Sequence, residues 1–320
     1  MIEKIWITWE TQRRSIELSK ALNCKLYIFD IEGIFRYPIS IVKTLFVLFS
    51  KRPRLLFIQN PSMILATLAC LYGKFTKVSV IVDRHTTFKL NQPQSGSLSI
   101  WIFMHLHYYT LRTADLTIVT NDFLADLVKK AKGNPVVLPD ILPDITTTRT
   151  IKLQGKKNIL LISSFGKDEP IDEVIDAAKL IPPDYHIYIT GNYRKKYCSL
   201  PDLPLNVTLT GFIPESDFFA YLHSVDIVMA LTTADYCMLC GCYEAVAAEK
   251  PLITSDKQVL RDYFKSAVIV DNKPESIANA VNTIIANEDS FKTNASLLKK
   301  DLEKEWSLLF NETNKKISQL

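Results

Sequence analysis

The stretch at residues 226–256, DIVMALTTADYCMLCGCYEAVAAEKPLITSD, decides the fold of this 320-residue chain. It opens on a short apolar run, 226–231, and closes on another, 251–254. Each has the length and composition of a buried strand, and turn residues bound it. Between them, residues 241–248 follow a helical pattern. A strand, a helix and a second strand in so short a space make a βαβ unit. Strands that are apolar throughout imply a parallel sheet covered on both faces.

The same alternation continues outward. Upstream, strands are expected at 157–163, 185–190 and 206–209, with helices at 171–180 and 215–222. Downstream, a strand is expected at 267–270 and helices at 258–264 and 274–286. Before residue 139 the pattern repeats, with strands at 4–9, 25–30, 54–58, 77–83, 115–120 and 135–138. Helices fall near 13–22, 39–50, 61–72, 97–112 and 122–131, and Asn121 is placed to cap the last of these. Residues 139–155, PDILPDITTTRTIKLQG, have two prolines near their start, a Thr run and no clear period, and read as a linker. The expectation is an α/β chain of two Rossmann-like domains with parallel sheets facing a central cleft. The boundaries are 1–147, a linker at 148–156, 157–292, and a C-terminal amphipathic helix at 293–320 packing across the domains. Leu298, Leu302, Trp306, Leu309 and Thr313 share one face of that helix.

Composition narrows the function classes. Hydrophobic residues make up 48% and charged residues 22%, which suits a folded chain rather than a disordered one. The net charge of +4 is uneven: residues 1–150 hold 19 Lys and Arg against 11 Asp and Glu, and residues 151–320 hold 19 against 23. The basic half suits an anionic partner. Its cations lie among long apolar runs, at 35–54 and 99–112, rather than in one basic stripe. A membrane surface or a phosphorylated acceptor therefore fits better than nucleic acid. Buried core with snorkelling cations is the plainer account of those runs. No signal peptide and no run of 18 uncharged apolar residues is seen, so a cytoplasmic protein, peripheral on the inner face of a membrane, is expected. Cys237 and Cys240 have CxxC spacing with Cys242 beside them, but no second ligand pair accompanies them. The six cysteines read as reduced packing thiols.

In doubly wound sheets, ligands bind past the carboxyl ends of the strands. The segments there are Ser164 to Pro170, Gly191 to Lys196, Thr210 to Pro214 and Thr232 to Tyr236, followed by the helix that carries Glu244. With only 9 glycines, the chain holds neither G-x-G-x-x-G nor G-x-x-x-x-G-K-[ST]. That argues against dinucleotide enzymes of the usual design and against P-loop NTPases.

Four of these features carry a resemblance over residues 157–287. They are Ser163-Ser164 with Asp168-Glu169-Pro170 opening a helix; Ile189-Thr190-Gly191; Leu209 to Pro214 followed by a helix; and Glu244 to Pro251 with Ser255, Asp256 and Arg261. Together they resemble the family 4 glycosyltransferases, which have the GT-B fold and retain anomeric configuration. The resemblance implies that Glu244 holds the ribose hydroxyls of a nucleotide-diphosphate sugar. Gly211, Phe212 and Ile213 meet the base. Met238, Leu239, Cys240 and Gly241 offer amides to the diphosphate at a helix start. Ser164, Asp168 and Gly191 complete the donor site. Arg194, Lys195 or Lys196 neutralises the leaving phosphate, with no metal and no bound cofactor. The family places another acid eight residues before this glutamate. Here that position is Tyr236, with Asp235 one residue earlier, and Cys237-Met238-Leu239 replaces the usual Gly-Phe-Gly. If Asp235 takes over, sugar recognition is kept; if not, it is altered or activity is lost.

In the first half the signals are weaker. Arg13 and Arg14 open a helix after the first strand, and Arg84 and His85 end the fourth. The expectation is that Arg13, Arg14 and Arg84 bind the acceptor, the first two through a phosphate on it, and the resemblance implies that His85 lies beside the transferred sugar. Plainer readings stand next to these: solvated charge for Arg13, Arg14 and 194–196, a structural role for His85, and an ordinary helix carboxylate for Glu244. The expected partners are a nucleotide sugar and a glycan or lipid-linked acceptor. A sugar-nucleotide epimerase and a non-catalytic partner subunit are the alternatives.

Overall fold

The computed structural model describes residues 4–60, 62–85, 98–145, 149–199 and 202–320. The chain divides into two compact units, Met1–Ile141 with Glu305–Leu320, and Leu142–Lys304.

In the first unit six parallel strands are ordered β2-β1-β3-β4-β5-β6. They are β1 (Lys4–Thr8), β2 (Lys25–Ile28), β3 (Leu55–Gln59), β4 (Ser79–Arg84), β5 (Leu116–Val119) and β6 (Pro135–Val137). The helices are α1 (Arg13–Ala21), α2 (Arg36–Lys51), α3 (Met63–Thr76), α4 (Leu98–Thr113) and α5 (Asp122–Lys130). Why the strands lack polar alternation is plain in β1. Ile5 and Ile7 pack under α2 and α3 on one face, while Trp6 stacks on Phe57 on the other, ring centroids 5.6 Å apart. All three side chains are fully buried, as parallel sheets with two covered faces require. Asn121 caps α5, its Oδ1 accepting from the Leu124 amide at 3.0 Å.

In the second unit the order is β12-β11-β10-β7-β8-β9. The strands are β7 (Lys157–Leu161), β8 (Tyr185–Thr190), β9 (Val207–Gly211), β10 (Ile227–Ala230), β11 (Leu252–Ser255) and β12 (Val268–Val270). The helices are α6 (Ile171–Ala178), α7 (Glu215–Ser224), α8 (Cys240–Ala247), α9 (Gln258–Tyr263), α10 (Pro274–Ala286) and α11 (Glu288–Ser318). The chain starts in the middle at β7, walks outward to β9, then returns beside β7 with β10 and walks the other way. This is the Rossmann strand order, and its reversal lies between β7 and β10.

Two expectations change. Residues 149–156, in the expected linker, are tied to the second unit. Arg149 pairs with Asp217 at 2.7 Å, and the amides of Ile151 and Gln154 donate to Ser224 Oγ and Tyr188 OH, both at 2.8 Å. Side chains of the second unit supply acceptors that the extended backbone lacks, and so strap it down. The last helix begins at Glu288, not 293, because nothing after Asn287 interrupts it. Its Leu298 and Leu302 pack in the core of the second unit, and its Trp306, Leu309 and Ile317 pack in that of the first.

Candidate functional site

The reversal point of the second unit gathers four loops. Helix α8 starts there. Its N-cap is Leu239, which has no side-chain acceptor, and its first turn carries no acid. The positive end of the helix is therefore not neutralised by its own sequence. Gly241 sits where a Cβ would meet Ala230 Cβ at 2.9 Å and Ile162 Cβ at 3.1 Å. The missing side chain lets the helix start press against the ends of β10 and β7. Glu244 is one turn along α8, on the side of Cys240, and is 9% exposed. Tyr243 beside it packs on Phe264, ring centroids 5.2 Å apart, and fixes the helix roll.

The loop after β7 is organised by Glu169. Its carboxylate accepts from Ser163 Oγ at 2.6 Å, from Ser164 Oγ at 3.1 Å, and from the amides of Ser164 and Gly166, both at 3.0 Å. Charge-assisted bonds of this kind hold a tight turn, in which Phe165 takes φ +58°. Asp168 is occupied as well. Its Oδ2 accepts from Thr232 Oγ1 at 2.9 Å, and its carbonyl accepts from the Thr233 amide at 2.6 Å, tying the β7 loop to the β10 loop. Asp168 thus helps to shape the site by joining the two loops. Glu169 and Thr232 lie in segments named from sequence but were given no role there. The signal available for Glu169 was a carboxylate next to Pro170 at a helix start.

The β8 loop approaches closely. A Cβ on Gly191 would lie 2.2 Å from the Ser163 carbonyl, and its φ is +102°. Of the basic residues that follow, Lys195 donates to the Ser164 carbonyl at 3.2 Å and Lys196 pairs with Asp172 at 2.7 Å. Arg194 is exposed and makes no side-chain pair among the described residues. Gly211 ends β9, Phe212 projects with 89% exposure, and Ile213 is half-buried. On the β10 loop, Asp235 is 63% exposed and pairs with Lys257 at 2.8 Å. Tyr236 takes φ +59°, an uncommon conformation for a bulky residue. Tyr236, Met238 and Leu239 all pack against the α8 core, anchoring the loop by side chains. Ser255 Oγ accepts from the Thr232 amide at 2.8 Å and donates to Asn272 Oδ1 at 2.6 Å, which joins β10, β11 and β12 at this edge.

All six cysteines are free. Burial pushes the Cys242 thiol up to about 12, so it packs as a neutral group, bonded to Thr254 Oγ1 at 3.4 Å. Among the described residues no three His, Cys, Asp or Glu side chains form a metal-holding group.

In the first unit, Arg14 is not available to an acceptor. It is 8% exposed. Its Nε and Nη2 grip Asp83 at 3.0 and 2.8 Å, Nη1 donates to Asp140 at 2.7 Å, and Nη2 also reaches the Leu138 carbonyl at 3.0 Å. Burial alone would raise the Asp83 carboxyl, but Arg14 holds it below its usual value. Arg84 is turned inward too, with Nη1 2.8 Å from His107 Nδ1 and Nη2 donating to Thr110 at 3.2 Å. Burial lowers the Arg84 guanidinium to about 10, and burial with the Arg84 charge lowers His107 to about 4. Arg13 is exposed at the start of α1. His85 lies 3.7 Å from Asp83 through Nδ1, beyond hydrogen-bond range.

Two doubly wound units in series, each an all-parallel six-stranded sheet, define the GT-B class of fold. Residues 146–300, which lie within the second unit, match the family model described as Glycosyl transferases group 1. Anabaena HepE in complex with UDP and glucose is similar in structure at TM-score 0.74 and 14% identity, over 98% of this chain and 92% of that one. A sucrose-phosphate synthase from Thermosynechococcus elongatus is similar at 0.73 and 13%, over 99% and 98%. A protein titled putative UDP-N-acetylglucosamine 2-epimerase from Listeria monocytogenes is similar at 0.59 and 12%, over 91% of each chain. No curated protein matches the sequence.

Proposed function

We propose that this chain is a retaining glycosyltransferase that takes a hexose from a nucleotide-diphosphate sugar. The observation that carries the reading is the uncapped start of α8 at the β7–β10 reversal, with buried Glu244 one turn behind it. Backbone amides at such a start suit a diphosphate. A carboxylate one turn away suits the two hydroxyls of a ribose. Phe212 offers an exposed ring to the base, and Arg194 offers a cation to the leaving phosphate. No metal or bound cofactor is assigned a role. The neighbours crystallised with UDP or UDP-glucose support a uridine donor. The basic, apolar first unit supports a lipid-linked or growing glycan acceptor, met at the inner face of a membrane in polysaccharide or glycoconjugate synthesis. His85 is assigned a place beside the transferred sugar, and Arg13 is assigned to the acceptor.

Titration calorimetry with UDP, GDP and their sugars tests the donor site, with Glu244→Gln as the variant. The glutamine is expected to weaken nucleotide binding by about tenfold or more, as loss of a charged acceptor implies. Equal affinity for both proteins would remove Glu244 from the site. Binding of no nucleotide would refute the enzyme reading. One observation favours a second reading, donor binding without transfer to an acceptor. Tyr236 occupies the place of the expected acid, and Asp235 is exposed and paired with Lys257. Donor turnover measured with and without a lipid acceptor separates transfer from epimerisation or simple binding.

A further inference from the structure

Helices α2, α3 and α4 cover one face of the first sheet, and their outer sides are unusually apolar. On α2, Phe35, Ile39, Val42, Phe46 and Phe49 recur at alternating spacings of four and three. They form one exposed stripe, with Val42, Phe46 and Phe49 at 66%, 74% and 62% exposure. The buried stripe of α2 is the opposite one, Ser40, Thr44, Val47 and Leu48. On α3, Ile64, Leu71 and Phe75 are exposed, and on α4, Leu98, Trp101, Ile102 and Tyr108. The three helices are contiguous. Phe49 of α2 meets Tyr72 of α3 edge-on at 5.7 Å, Tyr72 OH donates to the Leu48 carbonyl at 3.0 Å, and α3 packs along α4. A patch spread over three helices exceeds the scattered exposure normal for a soluble surface.

Charge identifies what covers it. Between Glu32 and Asp115 the sequence holds ten Lys and Arg and a single acid, Asp83. Asp83 is buried against Arg14. None of α2, α3 and α4 contains an Asp or Glu. Exposed cations stand among and beside the apolar stripes: Lys43, Lys51 and Arg52 on or after α2, Lys74 and Lys77 on or after α3, and Arg112 near the end of α4. Long cationic side chains around aromatic and aliphatic rows match the anionic headgroups and acyl boundary of a bilayer. A second copy of the chain fits worse, because a two-fold contact would set these cations against themselves with no acid to pair. No described helix is long and apolar enough to cross a membrane.

We infer that the outer face of α2, α3 and α4 is a docking surface for an anionic phospholipid bilayer, on which the chain lies without spanning it. The inference adds a definite contact face to the proposed transfer onto a lipid-linked acceptor, but its physical basis is independent of that reading.

The test is co-sedimentation of the full chain with phosphatidylcholine vesicles, alone and with one third phosphatidylglycerol, at low and high salt. Binding is expected with the anionic vesicles at low salt and to fall as salt screens the headgroups. The variant Phe46→Ser with Phe49→Ser and Phe75→Ser should bind roughly tenfold more weakly. The variant Lys51→Glu with Lys74→Glu alters only exposed side chains and should lose on the order of tenfold or more. UDP calorimetry and melting curves of each variant check that the fold is kept. Failure of the wild type to bind anionic vesicles would overturn the inference. So would unchanged binding by the charge variant, or a dimer in light scattering that the triple serine variant dissociates. If vesicles bind and UDP does not, the donor reading fails and the docking surface stands; the reverse result refutes the docking surface alone.

Discussion

Replacing Arg14 by Met would show whether this arginine is a strut or a phosphate ligand. The side chain links three places distant in sequence: helix α1, the end of β4 through Asp83, and the chain leaving β6 through Asp140 and the Leu138 carbonyl. Side-chain exposure is 5% for Arg14 and 1% for Asp83, so solvent screens the pair little. Methionine fills similar volume and leaves the Asp83 carboxylate inside the unit without its guanidinium partner. Removing one partner of a buried pair costs about 3–5 kcal/mol. Asp140, at 23% exposure, regains water and adds little. For a unit of this size that corresponds to a fall of roughly 6–20 °C in the melting temperature of the first unit. Thermal unfolding followed by circular dichroism measures it, with both transitions recorded because two units need not melt together. The sign with pH is definite. Asp83 has a depressed folded pKa, so its stabilisation is present above the usual carboxylate value and is lost as pH falls through the depressed one. In Arg14→Met burial raises Asp83 instead, so the gap between variant and wild type should narrow below about pH 5. Arg14→Lys should recover only part of the loss, since an ammonium cannot make the two-pronged grip. A melting temperature within about 1 °C of wild type, far short of the shift that a broken buried pair requires, would refute the strut.

Four further outcomes follow from the same geometry. Gly191→Ala, forced to φ +102° with its Cβ against the Ser163 carbonyl, should destabilise the second unit by at least about 1–3 kcal/mol and weaken UDP binding; an unshifted melt would show that the loops separate freely. Phe212→Ala should leave stability within about 0.5 kcal/mol of wild type. If the ring stacks on the base it should weaken nucleotide affinity by about 1–3 kcal/mol, and unchanged affinity in calorimetry would place the base elsewhere. Asp235→Asn, at an exposed ion pair, should change stability by less than about 1 kcal/mol while lowering kcat; an unchanged kcat would exclude Asp235 as the substitute acid. Because His107 is held neutral down to about 4, the unfolded chain binds more protons than the folded one between that pH and the ordinary histidine value. Stability should therefore fall by up to about 3 kcal/mol as pH drops through that window. His107→Gln should flatten that slope, and an equal slope in the variant would assign it to other groups.

What could be read in the sequence was whatever depends on neighbours along the chain. The apolar runs of β1 and β10, the helical pattern behind Glu244 and the Asn121 cap are set within a few residues, so strand, helix and order were legible before any contact was known. The strand–turn–helix placement of Gly191, Gly211 and Gly241 followed from the same local pattern. Contacts between distant residues were not legible. Arg14 and Asp140 are 126 positions apart, and nothing near Arg14 distinguishes it from exposed Arg13. Only folding brings Asp83 and Asp140 to one of the two. The bond from Thr232 to Asp168, 64 positions apart, was likewise not legible. The apolar stripe of α2 shows the same limit. Its spacing marks an amphipathic helix, yet a second row carries Val47 and Leu48, and periodicity does not say which side the sheet covers. Local pattern is encoded in chain spacing. Which polar groups are satisfied, and which apolar faces are left uncovered, is decided by long-range packing, and that exists only in the folded molecule.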